Sequence, residues 1–155
     1  MRIGLGYDAH AFVDGRDLFL GGLRIPHNKG LLGHSDGDVL LHAISDALLG
    51  AAGAEDIGAH FPNTDESIKG IESATILAHV GQLVRDKGFS IINIDAIVVC
   101  EAPRIQPYRE KLKNSIAGIL GVDTDRISVK GKTTEGMGFA GRREGIEARA
   151  VCLID

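Results

Sequence analysis

Arg2-Ile3-Gly4-Leu5-Gly6-Tyr7-Asp8-Ala9-His10-Ala11-Phe12 reads as a β-strand. Strand side chains alternate between faces, so Asp8 and His10, two residues apart, point the same way. A carboxylate oxygen and an imidazole nitrogen begin a zinc-type site, which needs about four ligands at roughly 2.0–2.2 Å. The third is available on the first strong helical pattern, as His42. Three protein ligands with one position open is the arrangement of a catalytic metal rather than a structural one. The same Asp-x-His spacing also serves a surface or hydrogen-bonded pair, and the strand alone does not choose.

The helix sharpens the choice. From Asp38 to Ala52, residues Leu40, Leu41, Ile44, Ala47, Leu48 and Ala51 form an apolar face that belongs in a core. Asp38, His42, Ser45 and Asp46 follow one another at helical spacing on the remaining stripe. His34-Ser35-Asp36-Gly37-Asp38, just upstream, is a turn with good N-cap chemistry. A polar, ionisable stripe on an otherwise buried helix calls for partners, and a metal suits His and Asp together. A solvated helix face accounts for it as well.

The surrounding sequence is mixed strand and helix. Residues 17–25 read as strand, with Asp14-Gly15 as a turn ahead of it and Gly21-Gly22 as a bend or bulge. Residues 26–33 read as loop, Gly53 to Gly58 as a short turn carrying Asp56, and residues 59–69 as an aperiodic loop of the functional kind. Ile71 to Lys87 is a second amphipathic helix closed by Gly88. The β-branched run from Ile91 to Ala102 fits a buried strand stopped by Pro103. A third helix spans Pro107 to Leu120 with Gly121 as cap, and strands follow at Ile127–Lys132 and Ile146–Ile154. The expectation is an α+β single domain, residues 1–155, with a mixed sheet covered by helices.

The 155 residues suffice to bury a core. Apolar residues at 44% and charged residues at 25% are ordinary for a soluble globular protein. No apolar run is long enough to span a membrane. The opening Met1-Arg2-Ile3-Gly4 has no signal or transit pattern, which predicts a cytoplasmic protein. Cys100 and Cys152 lie in apolar strand-like runs and are expected as small buried hydrophobes, not a disulfide.

The net charge of −4 is unevenly distributed. Residues 1–103 hold 7 Lys/Arg against 14 Asp/Glu, whereas residues 104–149 hold 10 against 6. An acidic half suited to cations and a basic half suited to phosphates could meet at one site; scattered surface charge is the alternative. Without a dense Lys/Arg run or tryptophan, and with 5% aromatics, a nucleic-acid platform is not expected.

Two further segments carry chemistry. Lys130-Gly131-Lys132-Thr133-Thr134-Glu135-Gly136 offers cations, hydroxyls and a carboxylate to a phosphate, or to a divalent ion bridging phosphates. It lacks the P-loop order. Gly138-Phe139-Ala140-Gly141-Arg142-Arg143-Glu144-Gly145 is a glycine-punctuated turn bearing Arg142. Either also reads as a hairpin with surface charge.

Taken together these blocks resemble the 2-C-methyl-D-erythritol 2,4-cyclodiphosphate synthase family over essentially the whole chain. They run from Arg2-Ile3-Gly4 through Asp8-Ala9-His10, Gly30-Leu31-Leu32, His34 to Asp38 and His42. They continue with Asp56-Ile57-Gly58, Phe61-Pro62-Asn63-Thr64-Asp65, Ala102-Pro103, Thr133-Thr134-Glu135 and Gly138 to Gly145. The resemblance implies a homotrimer with sites between neighbouring subunits, working in non-mevalonate isoprenoid biosynthesis. The implied reaction converts 4-diphosphocytidyl-2-C-methyl-D-erythritol 2-phosphate to the 2,4-cyclodiphosphate and CMP by intramolecular phosphoryl transfer. The substrate supplies the nucleophile, so no Ser or Cys nucleophile is expected.

By the same resemblance, zinc sits on Asp8, His10 and His42, with Ala9 beside the substrate. His34 and Ser35, at the helix N-terminus, hold phosphate by N–H donors and the helix dipole, and His34 and Thr133 assist catalysis. Glu135 holds a second divalent ion, Mg2+ or Mn2+. Asp56, Ile57, Gly58, Phe61, Pro62, Asn63, Thr64 and Asp65 contact the sugar and methylerythritol. Cys100, Glu101, Ala102, Pro103, Arg104, Ile105 and Gln106 form the cytidine pocket, and Lys132 and Thr134 join the phosphate segment. Tyr7, Phe139, Arg142 and Glu144 fall around a central cavity suited to an isoprenoid diphosphate. Leu5, Asn63 and Lys132 depart from the common pattern, where His, Asp and Thr are frequent. Two rival readings are a phosphohydrolase that activates water on the same metal, and a zinc- or nucleotide-binding regulatory module.

Overall fold

Gly4 and Gly6 decide how closely the chain can fold on itself. In the computed structural model, which describes residues 1–62, 64 and 69–155, they share one face of β1 (Arg2–Val13) with Asp8 and His10. Helix α1 (Val39–Ala51) lies directly on that face. A Cβ on Gly4 would sit 1.8 Å from the Ala47 carbonyl oxygen, and one on Gly6 1.9 Å from that of Ala43. Helix backbone therefore rests on strand backbone, close enough for His42 to reach the level of Asp8 and His10. Gly6→Ala is expected to push α1 off the strand and to cost about 3 kcal/mol of unfolding free energy, the upper range for overpacking. Urea titration checks it; a change under about 1 kcal/mol would mean that the helix yields freely.

The main sheet has the order β4-β1-β7-β5-β6, with β4 at Gly30–Leu31, β5 at Ile91–Val99, β6 at Ile127–Lys132 and β7 at Gly145–Ile154. β7 runs antiparallel to both β1 and β5, and β6 runs parallel to β5. The C-terminal ends of β1, β5 and β6 consequently share one end of the sheet. β1 and β6 are three strand spacings apart there, about 14 Å.

A small hairpin, β2 (Leu18–Leu20) and β3 (Leu23–Ile25), stands beside this sheet. Its two-residue turn is Gly21-Gly22, with φ of 61° and 77°, the left-handed conformation that such a turn demands and glycine accepts. The fully buried Asp38 fastens the hairpin to α1. Its carboxylate accepts N–H bonds from Leu41 at 3.1 Å, Gly21 at 2.9 Å and Gly22 at 2.7 Å, so one side chain caps a helix and holds a turn.

α1 and α4 (Arg109–Leu120) lie on the sheet, and α3 (Ser73–Asp86) packs against both. Their apolar stripes close one core with the inward side chains of the strands, including Ile94, Ala96, Val98, Ala148 and Ala150. Both thiols are buried in it and pushed up by burial, Cys100 to about 12 and Cys152 to about 11, so they are inert small hydrophobes as expected.

The expectation of a sheet covered by helices holds for one face only. On the other, Ile3, Leu5, Tyr7 and Val151 are 73%, 70%, 50% and 44% exposed. The remaining differences are local. Residues 26–33 contain the short strand β4, paired to the end of β1 at Phe12↔Leu31. Residues Ile57–His60 form one helical turn, α2, and Gly138–Gly141 another, α5. The second long helix starts at Ser73 rather than Ile71, and the β-branched strand stops at Val99 rather than Ala102. The third is preceded by a 3-10 turn at Gln106–Tyr108.

Candidate active site and metal centre

Asp8 and His10 project from β1 toward α1, and His42 meets them from its first turn. Asp8 Oδ2 lies 2.9 Å from His10 Nε2 and 2.9 Å from His42 Nδ1, and the two nitrogens are 3.3 Å apart. Ligand atoms around a tetrahedral zinc ion, bound at roughly 2.0–2.1 Å, are about 3.3 Å from each other. The three atoms already stand near that spacing. Among the described residues, this is the group of three His, Cys, Asp or Glu side chains that converges so.

The outer nitrogens are tied off. His10 Nδ1 lies 2.5 Å from the Leu32 carbonyl oxygen, to which only an N–H can donate, and this leaves Nε2 with its lone pair for a metal. His42 Nε2 faces Ser73 Oγ at 2.8 Å and Ser35 Oγ at 3.2 Å. The donor set and its supports fit a divalent ion of the zinc type.

Electrostatics agree. Burial pushes the Asp8 carboxyl up, but the hydrogen bonds and charges of His10 and His42 outweigh it and hold the group well below the usual carboxylate range. Burial pulls His10 down, yet the adjacent Asp8 carboxylate carries it above the ordinary imidazole value. A carboxylate that stays ionised between two imidazoles is suited to a cation.

The centre opens into a cleft of about 450 Å3, the size of a small-molecule site. Its walls are Asp8, His10, His42, the Leu32–Ser35 loop, Ile57, Gly58 and Phe61, with Ile71 and Ile76 behind. Arg16 clamps the loop by donating to the Gly33 carbonyl at 2.8 Å and the Ser35 carbonyl at 2.5 Å. Asp46, on the polar stripe of α1, accepts from the Ile57 N–H at 2.9 Å and so fixes the lip formed by α2. Asp56 caps α2 through the Ala59 N–H at 2.9 Å. The Phe61 ring stands edge-on to His79 at 5.4 Å. Pro62 and Thr64 are exposed beyond it; Asn63 and Asp65 lie outside the described residues.

The sequence suggested that His34 and Ser35 bind phosphate with help from a helix N-terminus. The structure corrects this. α1 begins at Val39, four residues after Ser35, and the Asp38 side chain caps it by accepting the Leu41 N–H. His34 and Ser35 therefore face the cleft as loop side chains, without a free helix end behind them.

The other expected site residues form a second group, at the β5–β6 side of the sheet. Cys100 N donates to the Lys132 carbonyl at 3.0 Å, which brings Cys100–Gln106 and Lys132–Glu135 together as one ledge. Glu101 accepts from the backbone N–H of Thr134 at 3.1 Å and of Gly136 at 3.3 Å, so it shapes the phosphate-type loop rather than facing outward. Glu135 has a positive φ of 53° and accepts a hydrogen bond from the Thr133 hydroxyl. None of these residues lines the cleft of Asp8, His10 and His42 in a single chain, and neither do Phe139 and Arg142. Arg142 is exposed and paired to Glu144 at 2.8 Å and 3.1 Å.

Arg16 and Ser73 support the site and were not singled out by sequence, whereas Asp36 stood in the capping turn. Asp46 carried a signal through its place on the polar stripe. Arg16 and Ser73 carried none.

This fold and donor set define an α+β protein with a candidate metal centre at a small-molecule cleft. The YgbB family profile matches residues 1–155, and the chain belongs to that family. It is 54% identical over 155 residues to 2-C-methyl-D-erythritol 2,4-cyclodiphosphate synthase of Prosthecochloris aestuarii, covering 100% of this chain and 99% of that one. The Pseudomonas putida enzyme of the same name is 55% identical over 154 residues, covering 99% and 98%. A solved 2C-methyl-D-erythritol-2,4-cyclodiphosphate synthase in its CDP-bound form superposes with a TM-score of 0.91 at 39% identity, over 99% of this chain and 100% of that one.

Proposed function

We propose that this chain is a cytoplasmic, cyclising phosphorus–oxygen lyase of the non-mevalonate isoprenoid pathway. It converts 4-diphosphocytidyl-2-C-methyl-D-erythritol 2-phosphate to 2-C-methyl-D-erythritol 2,4-cyclodiphosphate and CMP. The observation that carries this reading is the triad of Asp8, His10 and His42 opening on a small-molecule cleft, in a chain matched end to end by synthases of that name.

Asp8 Oδ2, His10 Nε2 and His42 Nδ1 would hold zinc. When bound, the ion acts as a Lewis acid and template for the diphosphate. His34 and Ser35 hold phosphate oxygens at the cleft rim, while Ile57, Gly58 and Phe61 pack the methylerythritol and ribose. An oxygen of the 2-phosphate forms a bond to the β-phosphorus as the bridge to the α-phosphate breaks. CMP leaves with the bridging oxygen and its electron pair. The chain's share of catalysis is positioning and charge neutralisation.

Cys100–Gln106 read the cytosine edge, Lys132 to Glu135 hold the diphosphate, and Thr133 supports the transition state. Because those residues lie across the sheet from the zinc triad, a complete site joins the cleft of one protomer to the ledge of a neighbour. A homotrimer supplies that geometry and buries the exposed Ile3, Leu5, Tyr7 and Val151.

Phosphorus NMR of the purified protein with the diphosphocytidyl substrate, zinc and magnesium tests the reading. The cyclic diphosphate and CMP are expected. Release of inorganic phosphate would instead identify a phosphohydrolase, and binding of CMP without turnover a regulatory module.

Glu135 would hold the second ion, Mg2+ or Mn2+. Glu135→Gln should keep its zinc and lose its response to added magnesium; a normal magnesium titration would assign Glu135 another role. Three copies of Tyr7, Phe139 and Arg142 around a trimer axis would suit an isoprenoid diphosphate, with the tail buried and the guanidiniums on the phosphates. Calorimetry with farnesyl diphosphate should give one molecule per trimer, and at least about tenfold weaker binding to Arg142→Ala. Equal affinity for both proteins would remove this site.

A further inference from the structure

Ser73 is wholly buried at the start of α3, 31 residues from His42 in sequence, yet its Oγ lies 2.8 Å from His42 Nε2. On its other side the same oxygen is 2.5 Å from Asp36 Oδ1. Asp36 receives donors on both oxygens: the Asp38 N–H reaches Oδ1 at 3.1 Å and the Ser73 N–H reaches Oδ2 at 3.0 Å. These contacts run in one direction. An ionised carboxylate only accepts, so the Ser73 hydroxyl proton points at Asp36. The Ser73 oxygen can then offer His42 only lone pairs, which requires the proton of the His42 ring on Nε2. With a cation among them, Nδ1, the atom beside Asp8 and His10, then offers its lone pair to it; without one, Nδ1 faces the Asp8 carboxylate at 2.9 Å and donates to it.

We propose that Asp36 and Ser73 are positioning residues for the metal centre, a relay that fixes the tautomer and ring orientation of His42 for zinc. Ser35 cannot replace it on equal terms. Its Oγ is 3.2 Å from Nε2 and accepts the Gly37 N–H at 3.1 Å, and the residue lines the cleft. With Ser73 holding the imidazole, the Ser35 hydroxyl proton stays available to a phosphate oxygen. The inference rests on the zinc reading of Asp8, His10 and His42.

The test is a zinc competition against a chromophoric chelator, with nitrogen NMR of the His42 ring in the same samples. Wild type should bind zinc and, once loaded, carry its ring proton on Nε2. Ser73→Ala should bind zinc roughly 10–100-fold more weakly, the usual cost of losing the partner of a metal-bound histidine, and show mixed tautomers without metal. Ser45→Ala, which removes another buried hydroxyl of no described partner, should leave both readouts unchanged. A merely structural role for Ser73 would lower the melting temperature and move neither. Zinc-loaded wild-type protein with the His42 proton on Nδ1 overturns the relay whether or not any variant folds. Zinc affinity of Ser73→Ala within twofold of wild type overturns it too, while leaving the zinc site standing. Failure of wild type to bind zinc overturns both.

Discussion

His42→Ala protein is expected to emerge from purification essentially without zinc and to turn over at least about 1,000-fold more slowly, since a Lewis acid contributes several kcal/mol to such a transfer. Two ligands remain, Asp8 and His10, and two are too few to retain the ion against dilution. The fold should survive. α1 keeps Asp38 as its cap and gains a better helix former, while the lost hydrogen bonds to Asp8 and Ser73 cost on the order of 1–3 kcal/mol. Asp8 loses one of the two groups that hold its carboxyl down, so its ionisation should move back toward the ordinary range. Metal analysis beside an activity assay decides the matter. An active variant with wild-type zinc would end the assignment of His42.

Local chemistry explains which parts could be read in the sequence. The strand at 2–12, the helix from Asp38 and the strand at Ile127–Lys132 each carried a clear period, a cap or a terminating glycine, and all three stand in the structure with shifts of a residue or so. The ligand triad was legible for the same reason: two of its members share a strand face, and the third sits on a polar stripe. What could not be read depends on contacts distant in sequence. β4 is two residues long and exists because Phe12 and Val13 pair with it. Ser73 gains its meaning from Asp36, 37 residues earlier. Ile3, Leu5 and Tyr7 look like core residues in the alternation of β1, but the inner face belongs to Gly4 and Gly6, because only glycine admits α1 so closely. Most telling is the separation of the two groups of expected site residues. Residues 8–61 and 100–135 read as one constellation along the chain, while strand order β1-β7-β5-β6 sets them at opposite sides of the sheet.

That division gives a test that needs no structure of an assembly. His42→Ala lacks the zinc half of the site, and a Thr133→Ala, Glu135→Ala double variant lacks the phosphate half; each alone should be nearly inactive. Co-expressed, they should recover activity. If every site takes its zinc half from one protomer and its phosphate half from the next, a site works when the first is the double variant and the second is His42→Ala. In a ring closed by one repeated heterologous interface, random mixing of equal amounts makes about a quarter of the sites functional. A site built from a single chain gives a different result, because every chain in the mixture carries a defect and none can complete a site. Separately tagged variants, purified through both tags in turn, ensure that only mixed assemblies are assayed. Activity no greater than that of the two variants alone, in assemblies proven to contain both chains, would place the whole site within one protomer and remove the shared-site reading.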